Sequence, residues 1–117
     1  MDISHLVYGL LSQGFEVVDF QRNEKESKLV VRDMTSLDPD KRKIHTIQFV
    51  DLLWHSVKSQ IVSVEYVEQD GTPNFRTSAT AELFEKIEKE HLHPSVIASE
   101  AEMIDLKNNL IIPKSAN

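Results

Sequence analysis

The chain contains no cysteine and only three glycines, and each shortage removes a class of chemistry. Without thiols there is no disulfide framework, thiolate zinc site, iron–sulfur cluster or thiol nucleophile. Stability then rests on a packed core, and the redox setting reads as the cytoplasm. Glycines at positions 9, 14 and 71 cannot assemble a phosphate-cradling loop or a dinucleotide fingerprint, and there is no G-x-S-x-G elbow. No apolar run approaches the ~18 residues of a membrane span. Met1-Asp2-Ile3-Ser4 lacks the basic start of a secretory signal. With neither a glycine after Met1 nor a cysteine, no lipidation motif is present. These absences point away from an enzyme of the common kinds, from a cofactor and from a membrane.

What is present is ordinary for a globular protein: 117 residues, 40% hydrophobic and 27% charged. One domain over 1–117 is the expectation, with a frayed tail over 113–117. Charge is distributed unevenly. Residues 1–60 hold eight Lys/Arg against nine Asp/Glu, whereas 61–117 hold five against ten, so nearly all of the net −6 lies in the second half. Such a surface repels nucleic-acid phosphates and anionic lipid and attracts basic partners.

Ile3, Leu6, Val7, Leu10 and Leu11 recur at helical spacing and predict a helix over 2–13, closed by Gly14, with Phe15 packing back on its last turn. Gly9 within it weakens the helix, and its bare backbone suggests close approach of another element. Strands are expected at 15–20 and 28–32, joined as a hairpin through the polar stretch 23–27. A charged loop over 37–43 and a third strand over 44–49 follow. Residues 51–59 fit either a short helix, with Leu52, Leu53 and Val57 on one face, or a continued strand. Ile61–Val67 reads as a strand stopped by Asp70-Gly71-Thr72-Pro73. A second helix over 78–91 is capped by Thr77 or Ser78 and buries Leu83, Phe84 and Ile87. Strands are favoured over helix from Val96 onward, with Asn108-Asn109 at a hairpin tip tolerating positive φ. The fold class is therefore α+β: an antiparallel sheet of four to six strands, with two main helices packed on one face.

His91-Leu92-His93 and Glu88-x-x-His91 have metal-ligand spacings, but a metal centre needs more such groups than the chain supplies. Both imidazoles suit a helix C-terminus, and no metal is assigned. Lys41-Arg42-Lys43, next to Asp38 and Asp40, is a mixed-charge loop rather than a nucleic-acid footprint. Glu82, Glu85, Glu88, Glu90, Glu100, Glu102 and Asp105 form the densest cluster of one sign, offset only by Lys86 and Lys89. A solvated face kept charged for solubility is the plainer account. The sharper one is an acidic patch for a basic protein, with Trp54 or Tyr66 as apolar anchor. Trp54 would serve if 51–57 were an exposed turn.

These signs favour a small acidic protein-binding module over a catalyst. The leading expectation is an inhibitor of the immunity or antitoxin type, occluding a basic, nucleic-acid-processing protein through Glu82, Glu85, Glu88, Glu100 and Glu102. The alternative is a structural or assembly protein forming a homodimer through an edge strand.

Overall fold

A computed structural model describes residues 4–34 and 39–112. The chain runs α1 (Ser4–Ser12), β1 (Phe15–Gln21), β2 (Glu26–Asp33), α2 (Pro39–Val57), β3 (Ile61–Val67), β4 (Pro73–Thr80), α3 (Ala81–Lys89), α4 (Val96–Glu100), β5 (Glu102–Asp105) and β6 (Leu110–Ile112). Its six strands form one sheet in the order β1-β2-β3-β4-β5-β6. Every neighbouring pair is antiparallel except β2–β3. The α+β expectation holds. The frayed tail expected at 113–117 lies outside the described residues, as do positions 2 and 3 of the first helix.

The parallel pair follows from the largest correction. Residues 44–49, expected as a strand, belong to the 19-residue helix α2, as do residues 39–43 of the expected charged loop. Pro39 opens the helix at a position where its missing N–H costs nothing. Phe49, Val50, Leu53 and Trp54 then recur at helical spacing, and all four are buried. Leu52, expected on the buried face, is exposed instead. Because a helix now carries the chain from β2 to β3, the two strands run the same way, from Glu26 opposite Ile61 to Arg32 opposite Val67.

A second correction concerns β4. Thr77 and Ser78, expected to cap a helix, lie within this strand, and the helix begins three residues later. The cap is Thr80, whose Oγ1 accepts from the Leu83 amide at 3.4 Å. The helix closes at Lys89, two residues before the expected 91, with Glu90 as its cap and His91 at φ 55°. There the Leu92 amide bonds the Ile87 carbonyl and the His91 amide the Glu88 carbonyl, the paired bonds of a Schellman ending. Residues 96–100 are helical where strand was favoured, whereas 102–105 and 110–112 do pair as the terminal hairpin. At its tip only Asn109 has positive φ, because the connection is four residues long rather than a two-residue turn.

In α1, Leu6 and Leu10 are buried, but Leu11 faces outward. Gly14 (φ 85°) ends the helix as expected and Phe15 is buried, whereas a Cβ at Gly9 would meet nothing within 4 Å, so no close approach explains that glycine.

All four helices cover one face of the sheet. Leu6 and Leu10 of α1, the α2 stripe, Phe84 of α3 and Ile97 of α4 meet Leu29, Val31, Val62, Val64, Tyr66, Phe75 and Ala79 from the strands. Two aromatic groups anchor this core. Phe15 stands edge-on to Phe49 (5.2 Å) and Tyr66 (5.6 Å), with Tyr66 stacked on Phe75 (5.3 Å). Beneath the C-terminal end of α2, Trp54 stacks on Phe84 at 4.8 Å and 10°, and the Lys58 ammonium lies 3.8 Å from the centre of the indole.

Candidate functional site

The sheet's other face is polar. Successive residues alternate across a strand, so Lys28, Val30 and Arg32 of β2 point away from the core, as do Ser63 and Glu65 of β3 and Arg76 and Ser78 of β4. Glu65 sits between Lys28 (3.5 Å) and Arg76 (3.9 Å), Arg32 reaches Glu16 at 3.4 Å, and the Ser63 and Ser78 hydroxyls lie 2.8 Å apart. These cross-strand pairs neutralise much of the face locally.

At one end of this face, α3 leaves β4 directly, and a groove of about 840 Å³ opens between helix and sheet. Ser63, Ser78 and Arg76 contribute from the strands, and Glu82, Leu83 and Lys86 from α3. The groove exists because α3 turns one side inward and one outward. Phe84 is drawn into the core by Trp54, which leaves Glu82 and Lys86, two residues to either side, facing the groove. Glu100, at the end of α4, and Glu102, at the start of β5, close the far side, and Glu26 of β2 stands at the near side. Four glutamates from four separate elements thus line one concavity, with Arg76 and Lys86 as its cations.

The structure treats the expected site residues unequally. Glu82, Glu100 and Glu102 are exposed and share this groove. Glu85 and Glu88 are exposed on α3 but do not line it. Glu88 lies 3.8 Å from Nδ1 of His55 on α2, whose Nε2 is 3.4 Å from Asp51, so it faces α2 rather than the groove. Trp54 and Tyr66 depart from the expectation of a surface anchor. Residues 51–57 are helix rather than an exposed turn, and Trp54 is 4% and Tyr66 0% exposed, so both are core aromatics. The apolar part of the groove comes instead from Leu83 and Ile61.

Sequence reasoning missed Glu26 and Arg76. Glu26 is remote from the acidic cluster along the chain, and Arg76 directly precedes the residues expected to cap a helix. The one available signal for Arg76 is alternation within β4, where Phe75, Thr77 and Ala79 are buried and Arg76 and Ser78 are not.

His91 and His93 do not form a ligand pair. His91 occupies the left-handed helix end, and His93 Nδ1 accepts from the Ser95 amide at 3.1 Å. Among the described residues no three His, Asp or Glu side chains are placed to share a metal ion. Lys41-Arg42-Lys43 lies in the first turns of α2. Among the described residues no helix is long and apolar enough to cross a membrane.

The fold and groove define a two-layer α+β domain with one helix-covered sheet face and one open, charged face. Comparison with protein-family models, curated proteins and solved structures returns no match.

Proposed function

We propose that this domain is a small protein-binding module whose groove receives basic side chains of a partner protein. The observation that carries this reading is the convergence of Glu26, Glu82, Glu100 and Glu102, supplied by β2, α3, α4 and β5, on one concavity. A solvated helix face would need no such convergence. Leu83 and Ile61 offer the alkyl stems of lysine or arginine an apolar bed, while the carboxylates meet the charged ends. Arg76 and Lys86 within the same groove select against an indiscriminate cation and favour a partner with acidic groups beside its basic ones.

With a net charge of −6, the chain steers toward positively charged surfaces from a distance. An inhibitor of the immunity or antitoxin type, covering the basic surface of a nucleic-acid-processing protein, fits these properties. Trp54 and Tyr66 take no direct part, since both are buried.

The test is affinity capture from lysate of the source organism at low and high salt, comparing the wild type with the triple variant Glu82→Lys, Glu100→Lys, Glu102→Lys. A stoichiometric basic protein retained only by the wild type, and released by salt, is the expected outcome. Retention of the same proteins by both forms, or of none by either, overturns the reading.

A further inference from the structure

Two pairs of serine hydroxyls lie within the fold, and they differ in where their protons go. Ser27 and Ser59, both buried, stand 2.7 Å apart with the Asn23 carbonyl within reach of each, at 3.3 and 2.6 Å. Both protons of that pair therefore have an acceptor. Ser63 and Ser78 stand 2.8 Å apart across β3 and β4, so one hydroxyl donates to the other. Each hydroxyl carries a single proton, and among the described residues no further acceptor lies within hydrogen-bond distance of either. One O–H of this pair is left over. Ser63 is 1% exposed, and both serines line the groove. A donor held there is costly to leave unmatched, and its acceptor has to come from outside the fold. Arg76 stands beside it, two residues from Ser78 on the same face of β4. Its ion pair with Glu65 spans 3.9 Å, longer than a hydrogen bond, so the guanidinium fork keeps donors for the same acceptor.

We infer that the groove receives a C-terminal lysine or arginine of its partner, the terminal carboxylate at Ser63, Ser78 and Arg76 and the side-chain cation at the glutamates. This rests on the reading of the groove as a receptor for basic side chains, and it names the form in which one arrives. A hydroxyl beside a guanidinium suits a carboxylate. A phosphate does not fit the charge: four glutamates against Arg76 and Lys86 leave the concavity negative, so its ligand must balance every negative group with a positive one. A terminal basic residue does this within a single residue. The register sets the two ends at a suitable spacing. Ser78 lies directly opposite Glu102 across β4 and β5, where facing side chains start about 5 Å apart. A carboxylate held at Ser78 thus leaves the cation of the same residue within reach of Glu102, with Leu83 beside the alkyl stem. Carboxylates stand on both sides of the concavity, and its volume of about 840 Å³ is that of a small-ligand pocket, so it suits a chain that ends inside it.

The probes are acetyl-Gly-Gly-Lys with a free carboxylate, the same peptide as its C-terminal amide, and acetyl-Gly-Gly-Ala with a free carboxylate. Each is titrated into the whole chain, with backbone amide NMR shifts as the readout. The first should bind about tenfold more tightly than either control. The double variant Ser63→Ala, Ser78→Ala should lose the preference for acid over amide and keep that for lysine over alanine. Arg76→Gln, at a partly exposed position, should weaken the same preference and serves if the double variant does not fold. Glu82→Gln with Glu102→Gln should do the reverse. Acid and amide binding equally, both dependent on Glu82 and Glu102, overturns the inference and leaves the groove reading standing. Lysine and alanine peptides binding equally overturns both. Free lysine binding more tightly than the peptide overturns the chain end as ligand, and no shift at the highest attainable peptide concentration overturns the inference outright.

Discussion

The two faces of the sheet hold the molecule together by different means. On the covered face, stability comes from shape: stacked rings, buried aliphatic side chains and helices pressed over them. On the open face it comes from pairing, with Glu65 shared between Lys28 and Arg76 and the Ser63 and Ser78 hydroxyls bonded across strands. The first kind is costly to disturb, because an interior packed to crystal-like density relaxes poorly around a lost side chain. The second is less costly where its charged ends reach water, as those of Lys28 and Arg76 do.

Substitutions should separate the faces by the size of their effect. Trp54→Ala removes a buried indole stacked on Phe84 and should cost about 3–5 kcal/mol, read as a shift in denaturation midpoint at constant slope. A cost below about 1 kcal/mol would place Trp54 at the surface and restore it as a binding anchor. Thr77→Val tests the same face from the opposite direction. The Thr77 hydroxyl is fully buried and has no hydrogen-bond partner among the described residues, so an isosteric methyl should stabilise by about 1 kcal/mol. Loss of stability would reveal a partner for that hydroxyl. On the open face, Glu65→Ala should cost no more than about 1 kcal/mol, and less as salt rises. A salt-independent loss as large as that of Trp54→Ala would erase the distinction between the faces.

The smallest effect is local and pH-dependent. Asp105 closes the β5–β6 connection by accepting from the Asn108 side chain at 2.8 Å and from the Lys107 and Asn108 amides. Its carboxyl is held below the ordinary range, chiefly by the Asn108 side-chain bond. A carboxylate with a depressed folded value stabilises above its unfolded value, and that stabilisation disappears as pH falls through the folded one. Hydrogen exchange at 106–110 should therefore quicken under acid below the usual carboxylate range. Asp105→Ala should remove the dependence; a wild type without it would show that the turn does not rely on this charge.

How far the sequence reveals this arrangement depends on where each element's information lies. Ile61–Val67 was legible to the residue, because its β-branched run is bounded by turn residues on its C-terminal side. In α1, local spacing predicted the buried Leu6 and Leu10. The segment 44–49 misleads because Ile44, Thr46, Ile47 and Phe49 are β-branched or aromatic residues of the kind that favour strands. Only the continuation through Val50, Leu53 and Trp54 shows the helical face, and only packing over the sheet rewards it. β4 was hidden by small residues: Thr77 and Ala79 fill the covered face under α2 without looking like a hydrophobic strand. The acidic half of the groove was visible as composition. Its shape was not, since Glu26 reaches it only through the parallel register of β2 with β3.

That parallel register also orders the folding reaction. β1–β2, β3–β4 and β5–β6 each join segments close along the chain, so their loops close quickly and at small entropic cost. The ladder from Glu26–Ile61 to Arg32–Val67 can form only after α2 has been carried across the sheet, and it alone among the strand pairs unites β1–β2 with β3–β6. Pairing of this long-range kind is intrinsically slow. The seam between β2 and β3 thus has the longest loop of any strand pair to close, and wherever it is open β2 and β3 each present an unsatisfied strand edge.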